Sequence, residues 1–447
     1  MRQSYSWSWV ETQVAHTIEL WNHGAAGSAP SGPQFGPIEQ QSRERAYDEG
    51  LVAVELEMRR NPQSRAEQLE RQRRILASFG QFSTRALGLQ EDANCLLTQE
   101  FLPVGAKLAR WARRFDASLS MPDIIQACRN AWTACGLQPL LGEPLRITPS
   151  ILAYSLLYPY SDNYLDSEAI SAQAKRAFGE RFRDRLRGMK LAVQDSREAA
   201  LWTMVQLIED QYPRADFPQV FECLLAIHRA QQESIAQVNA QITNTGSCDE
   251  AELLRMSCAK GGSSVLADGC LVRGWLTEEE SRFAFEWGVL LQLGDDLQDV
   301  HEDLQRGSVT LFSRAAAQGK PLDNLVIQLL NFSNEVGAHM EELPDGSPML
   351  KDLLRMSWRS LIVGAVANSH QFFSPGFLME AECSSPFRFD FLRARREKLA
   401  GNDGLYAVLF DAFLEAPEHS PDHIDAELPP PEQYAVSCLE AGLEPVV

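Results

Sequence analysis

Leu291-Gln292-Leu293-Gly294-Asp295-Asp296-Leu297-Gln298-Asp299-Val300-His301-Glu302-Asp303 is the stretch on which the reading of this chain turns. An apolar pattern leads into it. Phe283, Trp287, Leu290 and Leu291 fall on one face of a helix. Asp295, Asp299 and Asp303 then recur every four residues and stack on one helix side. Like charges at that spacing repel and destabilise a helix. A hard divalent cation relieves such repulsion, because Mg²⁺ prefers carboxylate oxygen, water and phosphate. The plainer reading is a solvated acidic face. An EF-hand is excluded: its obligatory Gly is missing and the acids stand at the wrong offsets.

A second acidic pair strengthens the metal reading. Ser161-Asp162-Asn163-Tyr164-Leu165-Asp166 follows the apolar run 151–160, and Asp162 and Asp166 share a helix face. Thr148-Pro149 starts that helix, with Thr as N-cap and Pro at the first helical position. Pro159 inside it predicts a kink. Two such helices facing each other make a carboxylate cage at one mouth of a helical bundle.

These residues carry a resemblance. Leu291 to Asp299 is similar to the second aspartate-rich motif of trans-prenyl diphosphate synthases, Phe-Gln-x-x-Asp-Asp-x-x-Asp, with Leu291 in place of Phe. Asp162 to Asp166 resembles their first motif, Asp-Asp-x-x-Asp, with Asn163 departing at the second position. The order acidic helix, Lys-Gly helix, second acidic helix resembles the class I isoprenoid (terpenoid) synthases over roughly residues 120–315. The resemblance implies an all-α bundle around a central apolar cavity and about three Mg²⁺. It also implies an allylic prenyl diphosphate substrate. Asp162, Asp166, Asp295 and Asp299 would be the metal ligands.

Further roles follow from the same resemblance. The family interrupts a helix where this chain has Ala259-Lys260-Gly261-Gly262, and a Lys beside the break holds the diphosphate; Lys260 matches it. Two helical glycines cost about 1 kcal/mol each, which signals a break or a close backbone approach. Gln292 of the second motif is a further diphosphate contact. Leu304 to Leu311 is similar to the family's Gly-Lys-x-Thr-Leu, with Ser308 in place of Lys and Arg306 as its substitute. Arg176, Arg183 and Arg187 lie near one face of a cation-dense helix and are candidates to reach a diphosphate. The plain reading of that helix is a salt-bridged exposed surface. Tyr154, Tyr158, Phe221 and Trp287 are candidate aromatic walls for a carbocation, and Tyr158 is expected to set prenyl chain length. Each of the four reads equally as core. His228 reads as a core or rim histidine before a general base. Arg388 to Lys398 is a basic cluster that could form a lid.

The branch stays open. A terpene cyclase needs one diphosphate site and an enclosed cavity, and the chain supplies both. A chain-elongating synthase needs a second diphosphate site. Only Gly105-Ala106-Lys107-Leu108-Ala109-Arg110 resembles one, without its Pro and with a displaced Lys. A head-to-head prenyltransferase and a non-catalytic binding subunit with a degenerate first motif stay open as well.

Composition bounds the rest. The 447 residues are 45% hydrophobic, enough for a large core. A net charge of -20 disfavours nucleic acid as a partner. Nine scattered Cys without a Cys-x-x-Cys predict free thiols in a reducing cytoplasm. No signal-peptide pattern and no transmembrane segment are expected. A homodimer is compatible with the resemblance. Residues 1–37 read as an N-terminal arm and linker, 38–120 as a helical extension, and 121–414 as the synthase-like bundle. The acid- and Pro-rich 415–447 reads as a disordered tail. No strand-like alternation and no long repeat occur, so the fold expected is all-α.

Overall fold

Local chemistry starts the helices where the sequence predicts. Thr148 Oγ1 accepts from the Ile151 N–H at 3.3 Å, and Asp249 Oδ1 accepts from Glu252 N–H at 2.8 Å. Ser120 with Asp123, and Thr277 with Glu280, form reciprocal capping boxes. The computed structural model describes residues 3–24, 32–167, 169–242, 249–400, 428–431 and 433–434. The side chains of Tyr158, Asp162, Asp166, 235–242 and 398–400 lie outside that description.

The helices are α1 (Trp7–His23), α2 (Pro37–Met58), α3 (Arg65–Phe82), α4 (Glu91–Cys95), α5 (Leu102–Phe115), α6 (Met121–Leu140), α7 (Pro149–Asp166), α8 (Ala172–Leu186) and α9 (Ser196–Gln211). There follow α10 (Pro218–Ile242), α11 (Glu250–Arg273), α12 (Glu278–Gln298), α13 (Val300–Arg306), α14 (Leu311–Ala317), α15 (Asp323–Glu342), α16 (Pro348–Asn368), α17 (Pro375–Cys383) and α18 (Phe389–Ala400). No strand occurs among the described residues, so the chain is all-α. No described helix is long and apolar enough to cross a membrane.

Side-chain contacts fix how the central helices run. Ser257 meets Asp296, and Gly269 meets Ala284, so α11 and α12 are antiparallel. Tyr154 Oη donates to the Ser264 carbonyl at 3.2 Å and Ser150 Oγ to the Leu271 carbonyl at 3.0 Å, so α7 also opposes α11. Arg255 pairs with Glu233 at 3.6 Å and Cys223 meets Cys270 at 3.2 Å, which makes α10 antiparallel to α11. Arg273 reaches the Leu141 carbonyl at 2.9 Å, placing the C-terminal ends of α6 and α11 together. One mouth of the bundle therefore gathers the C-terminal ends of α7, α10 and α12 with the N-terminal ends of α6 and α11.

Four expectations change. The helix carrying Lys260 is not interrupted: α11 runs unbroken from Glu250 to Arg273. Its glycines serve close approach instead. A Cβ on Gly288 would lie 2.1 Å from Gly261 O, and one on Gly262 would lie 2.4 Å from the Phe285 ring. The N-terminal arm is no separate arm, because Tyr5, Val10, Val14 and Trp21 join the main core. The boundary at 120 also shifts: Val104, Leu108 and Trp111 of α5 belong to that core. The extension proper, α2 and α3, closes a small second cluster of Ala46, Ala86 and Phe387. Finally, part of the supposedly disordered tail is seated on the bundle. Trp111 Nε1 donates to the Pro429 carbonyl at 2.8 Å, and Leu428 and Tyr434 pack on the core. Proline-rich composition opposes helix, not docking to an indole.

Candidate active site

The second acidic motif sits at this mouth, and its acids divide into two kinds. Asp296 is buried. Ser257 Oγ donates to its Oδ2 at 2.7 Å and Gln292 Nε2 to its Oδ1 at 2.8 Å. Burial raises its pKa and these two donors oppose the rise. Asp295 and Asp299 are exposed. Asp295 is 51% exposed at its side chain, with Arg129 of α6 at 3.8 Å. Burial nevertheless pushes Asp295 up to about 6; Asp296 and Asp299 add to the rise, and Arg129 and Lys260 oppose it.

The four-residue spacing survives a bend. α12 ends at Gln298 and α13 begins at Val300, yet Asp299 N–H still donates to the Asp295 carbonyl at 2.9 Å and Asp303 N–H to the Asp299 carbonyl at 2.8 Å. Burial, then Asp296 and Asp299, push Asp303 up to about 7, while Thr310 Oγ1 donates to it at 3.3 Å. Gly307 terminates α13 at φ 72°, a left-handed conformation that suits Gly, and Thr310 caps α14. The Gly-x-x-Thr portion of the sequence motif is thus a turn and a cap. Arg306 is 73% exposed and pairs with Glu302 at 3.3 Å, within electrostatic reach of Asp299 and Asp303.

The opposite wall is α7. Asn163 Nδ2 donates to Asp123 Oδ1 of α6 at 2.7 Å. The Asp162 and Asp166 side chains lie outside the described residues, as does that of Tyr158. α6 therefore touches both acidic helices: Asp123 holds the end of α7, and Arg129 faces Asp295 about 9 Å further along its axis. Among the described residues no three His, Cys, Asp or Glu side chains gather as a metal cluster. Asp295 and Asp299 fit Mg²⁺ by donor type, being exposed carboxylate oxygen ligands.

Other candidates separate clearly. Lys260 is half-buried, less than one turn from Ser257, and in electrostatic reach of Asp295 and Asp296. Gln292 is engaged with Asp296, so it positions that acid. Arg176 is exposed in the first turns of α8. Arg183 and Arg187 share Asp184 at 3.3 and 3.9 Å and lie near His228. Their neighbours Arg181 and Arg185 form structural pairs with Glu198 and Glu209 at 2.6 and 2.7 Å. Phe221 is buried under the Arg214 guanidinium, 3.6 Å from its ring centre, near the end of α10 away from the mouth. Trp287 is buried against Phe283 and Trp358, and its Nε1 has no hydrogen-bond partner. Tyr154 is half-buried on α7 and bonded to Ser264.

The basic helix α18 resolves residue by residue. Arg388 pairs with Glu44 at 2.5 Å, Arg395 with Asp48 at 2.6 Å, and Arg393 donates to the Ala367 carbonyl at 3.2 Å. Arg396 is exposed and close enough to Asp299 to lower its pKa. Sequence reasoning missed Arg129 altogether. Its only signal is a cation on the polar side of an otherwise apolar helix, with no motif around it. Comparison with protein-family models, curated proteins and solved structures finds no match to this chain.

Proposed function

We propose that this chain is a Mg²⁺-dependent class I terpene synthase that ionises an allylic prenyl diphosphate and cyclises or rearranges the resulting carbocation. The observation that carries the reading is the common tie to α6: Asn163 beside the first acidic pair bonds Asp123, and Asp295 of the second faces Arg129. Two acidic helix ends at one mouth are what a diphosphate carrying divalent cations requires.

Asp295 and Asp299, with Asp162 and Asp166 from α7, would hold the Mg²⁺. When bound, the ions supply Lewis-acid stabilisation of a departing diphosphate. Lys260 adds a charge-assisted hydrogen bond to the leaving group, and Arg129 and Arg396 add positive potential. Ser257 and Gln292 keep Asp296 turned inward, which leaves Asp295 free at the rim. Tyr154 and Trp287 contribute aromatic surface below the mouth, where ring faces favour a cation. A reducing, cytoplasmic setting belongs to the same proposal; it is supported by the free cysteines among the described residues, most of them buried.

The test is a substrate panel of geranyl, farnesyl and geranylgeranyl diphosphate, each with and without isopentenyl diphosphate, analysed for hydrocarbon or alcohol products. Cyclised products from a single allylic diphosphate support the reading. Chain-elongated diphosphates that form only with isopentenyl diphosphate overturn it in favour of a prenyltransferase. Binding without turnover overturns it in favour of a binding subunit.

A further inference from the structure

Residues 428–431 and 433–434 form a C-terminal segment seated on the bundle. Trp111 Nε1 donates to the Pro429 carbonyl at 2.8 Å, and Pro431 is buried. The Gln433 and Tyr434 amides turn back onto the Pro430 and Pro431 carbonyls at 3.1 Å each. Tyr434 Oη reaches Asp210 of α9 at 3.5 Å. An aromatic groove takes a proline-rich strand well, because such a strand loses little entropy on docking.

Beneath this segment lies a cavity of about 410 Å³, the size of a small-molecule site. It stands where α7 begins and α9 ends, about 20 Å along α7 from the acidic mouth. Pro149 and Leu207 supply apolar wall from the bundle; Pro429 and Tyr434 supply it from the segment. The cavity is therefore complete only while the segment is docked. Two charged residues line it. Asp210 is exposed to water and already accepts from Gln206 Nε2 at 2.8 Å and from Tyr434. Arg146 has no side-chain hydrogen bond or ion pair among the described residues, and it is in electrostatic reach of Tyr212 just beyond α9. Arg146 is thus the group left to recognise a ligand. A guanidinium fork meets a carboxylate in two parallel hydrogen bonds, and the flat faces of proline and tyrosine suit an aromatic body.

We propose that this cavity binds a small aromatic carboxylate, and that the C-terminal segment closes over it as a strap. The site is separate from the metal mouth and does not rest on the synthase reading. Arg146 takes the carboxylate, and the ring lies among Pro149, Pro429 and Tyr434. Two of these walls leave with the segment. A ligand that needs them binds only the docked form, so binding and docking stabilise each other by the same free energy.

Hydrogen exchange of the C-terminal segment in the full chain tests it. Benzoate is the probe, and benzamidine, the same ring carrying a cation, is the control. Exchange in the peptide covering 428–434 is expected to slow as benzoate is added, by about tenfold at roughly ten times the Kd measured by calorimetry. Benzamidine is expected to leave it unchanged. Arg146→Gln keeps a polar side chain without the charged fork, and is expected to exchange as the wild type does but to lose the benzoate response. Trp111→Phe keeps a ring without the donor, and is expected to exchange faster and to bind benzoate more weakly. No benzoate binding, equal slowing by benzamidine, or an Arg146→Gln protein that responds like the wild type each overturns the proposal. Faster exchange in Trp111→Phe with undiminished benzoate affinity overturns the strap.

Discussion

Ser257 of α11 donates a 2.7 Å hydrogen bond to Asp296 of α12, and this contact turns the second acid of the Asp-Asp pair into the protein. Asp295 is left to face the mouth. The bond sits one turn above the point where Gly261 and Gly288 bring the two backbones together. Removing the hydroxyl leaves a buried carboxylate short of a donor. Ser257→Ala is expected to cost about 1–3 kcal/mol, read from denaturant unfolding. An unchanged unfolding midpoint would show that water replaces the hydroxyl without loss.

The glycine crossing makes a sharper prediction. A methyl group at Gly288 would lie 2.1 Å from Gly261 O, which is backbone and cannot rotate away. Gly288→Ala must push α11 and α12 apart and is expected to destabilise by about 1–3 kcal/mol or more. Helix propensity alone would predict a gain from the same change. Thermal unfolding decides between the two signs.

His228 gives a pH signature. It is buried against Phe182, and burial first, then Arg183 and Arg187, push its pKa down to about 4, against a hydrogen bond to the Gly179 backbone. The folded value is below the unfolded one, so the neutral ring is the form that folding favours. The stability it contributes is fully present above about pH 6.5 and is lost as pH falls from there toward 4. His228→Gln should therefore flatten the pH dependence of stability in that window. Equal slopes for the two proteins would contradict it.

Lys260 stands half-buried beside the acids without forming part of the core. Lys260→Ala is expected to leave thermal unfolding nearly unchanged. It should weaken transition-state binding by about 1.5–3 kcal/mol, roughly 10- to 100-fold in kcat/KM. Unfolding of the variant, or unchanged kinetics, would count against a diphosphate contact.

Much of this arrangement is legible in the sequence, and the gaps have physical causes. The all-α fold follows from apolar spacing, and the division between Asp295 and Asp296 follows from helical phase. The Gly261-Gly262 pair is ambiguous in one dimension, because a break and a close crossing both demand missing side chains. The deciding partner, Gly288, is 27 positions away. Arg129 is brought to the acids by tertiary packing and no local pattern marks it, whereas Arg396 belongs to a basic cluster legible in the sequence whose nearness to Asp299 only tertiary packing decides. The Pro429 contact escapes composition altogether, since Trp111 lies on another helix more than three hundred residues earlier.

Diphosphate release tests the central claim most directly. Wild type and Asp295→Ala are compared on the three allylic diphosphates with Mg²⁺ and with excess chelator. Asp295 is open at the mouth, so the variant is expected to fold. The account predicts release by the wild type in Mg²⁺, none in chelator, and a loss of at least about 100-fold in the variant. Release that persists in chelator, or an Asp295→Ala protein as active as the wild type, would contradict it.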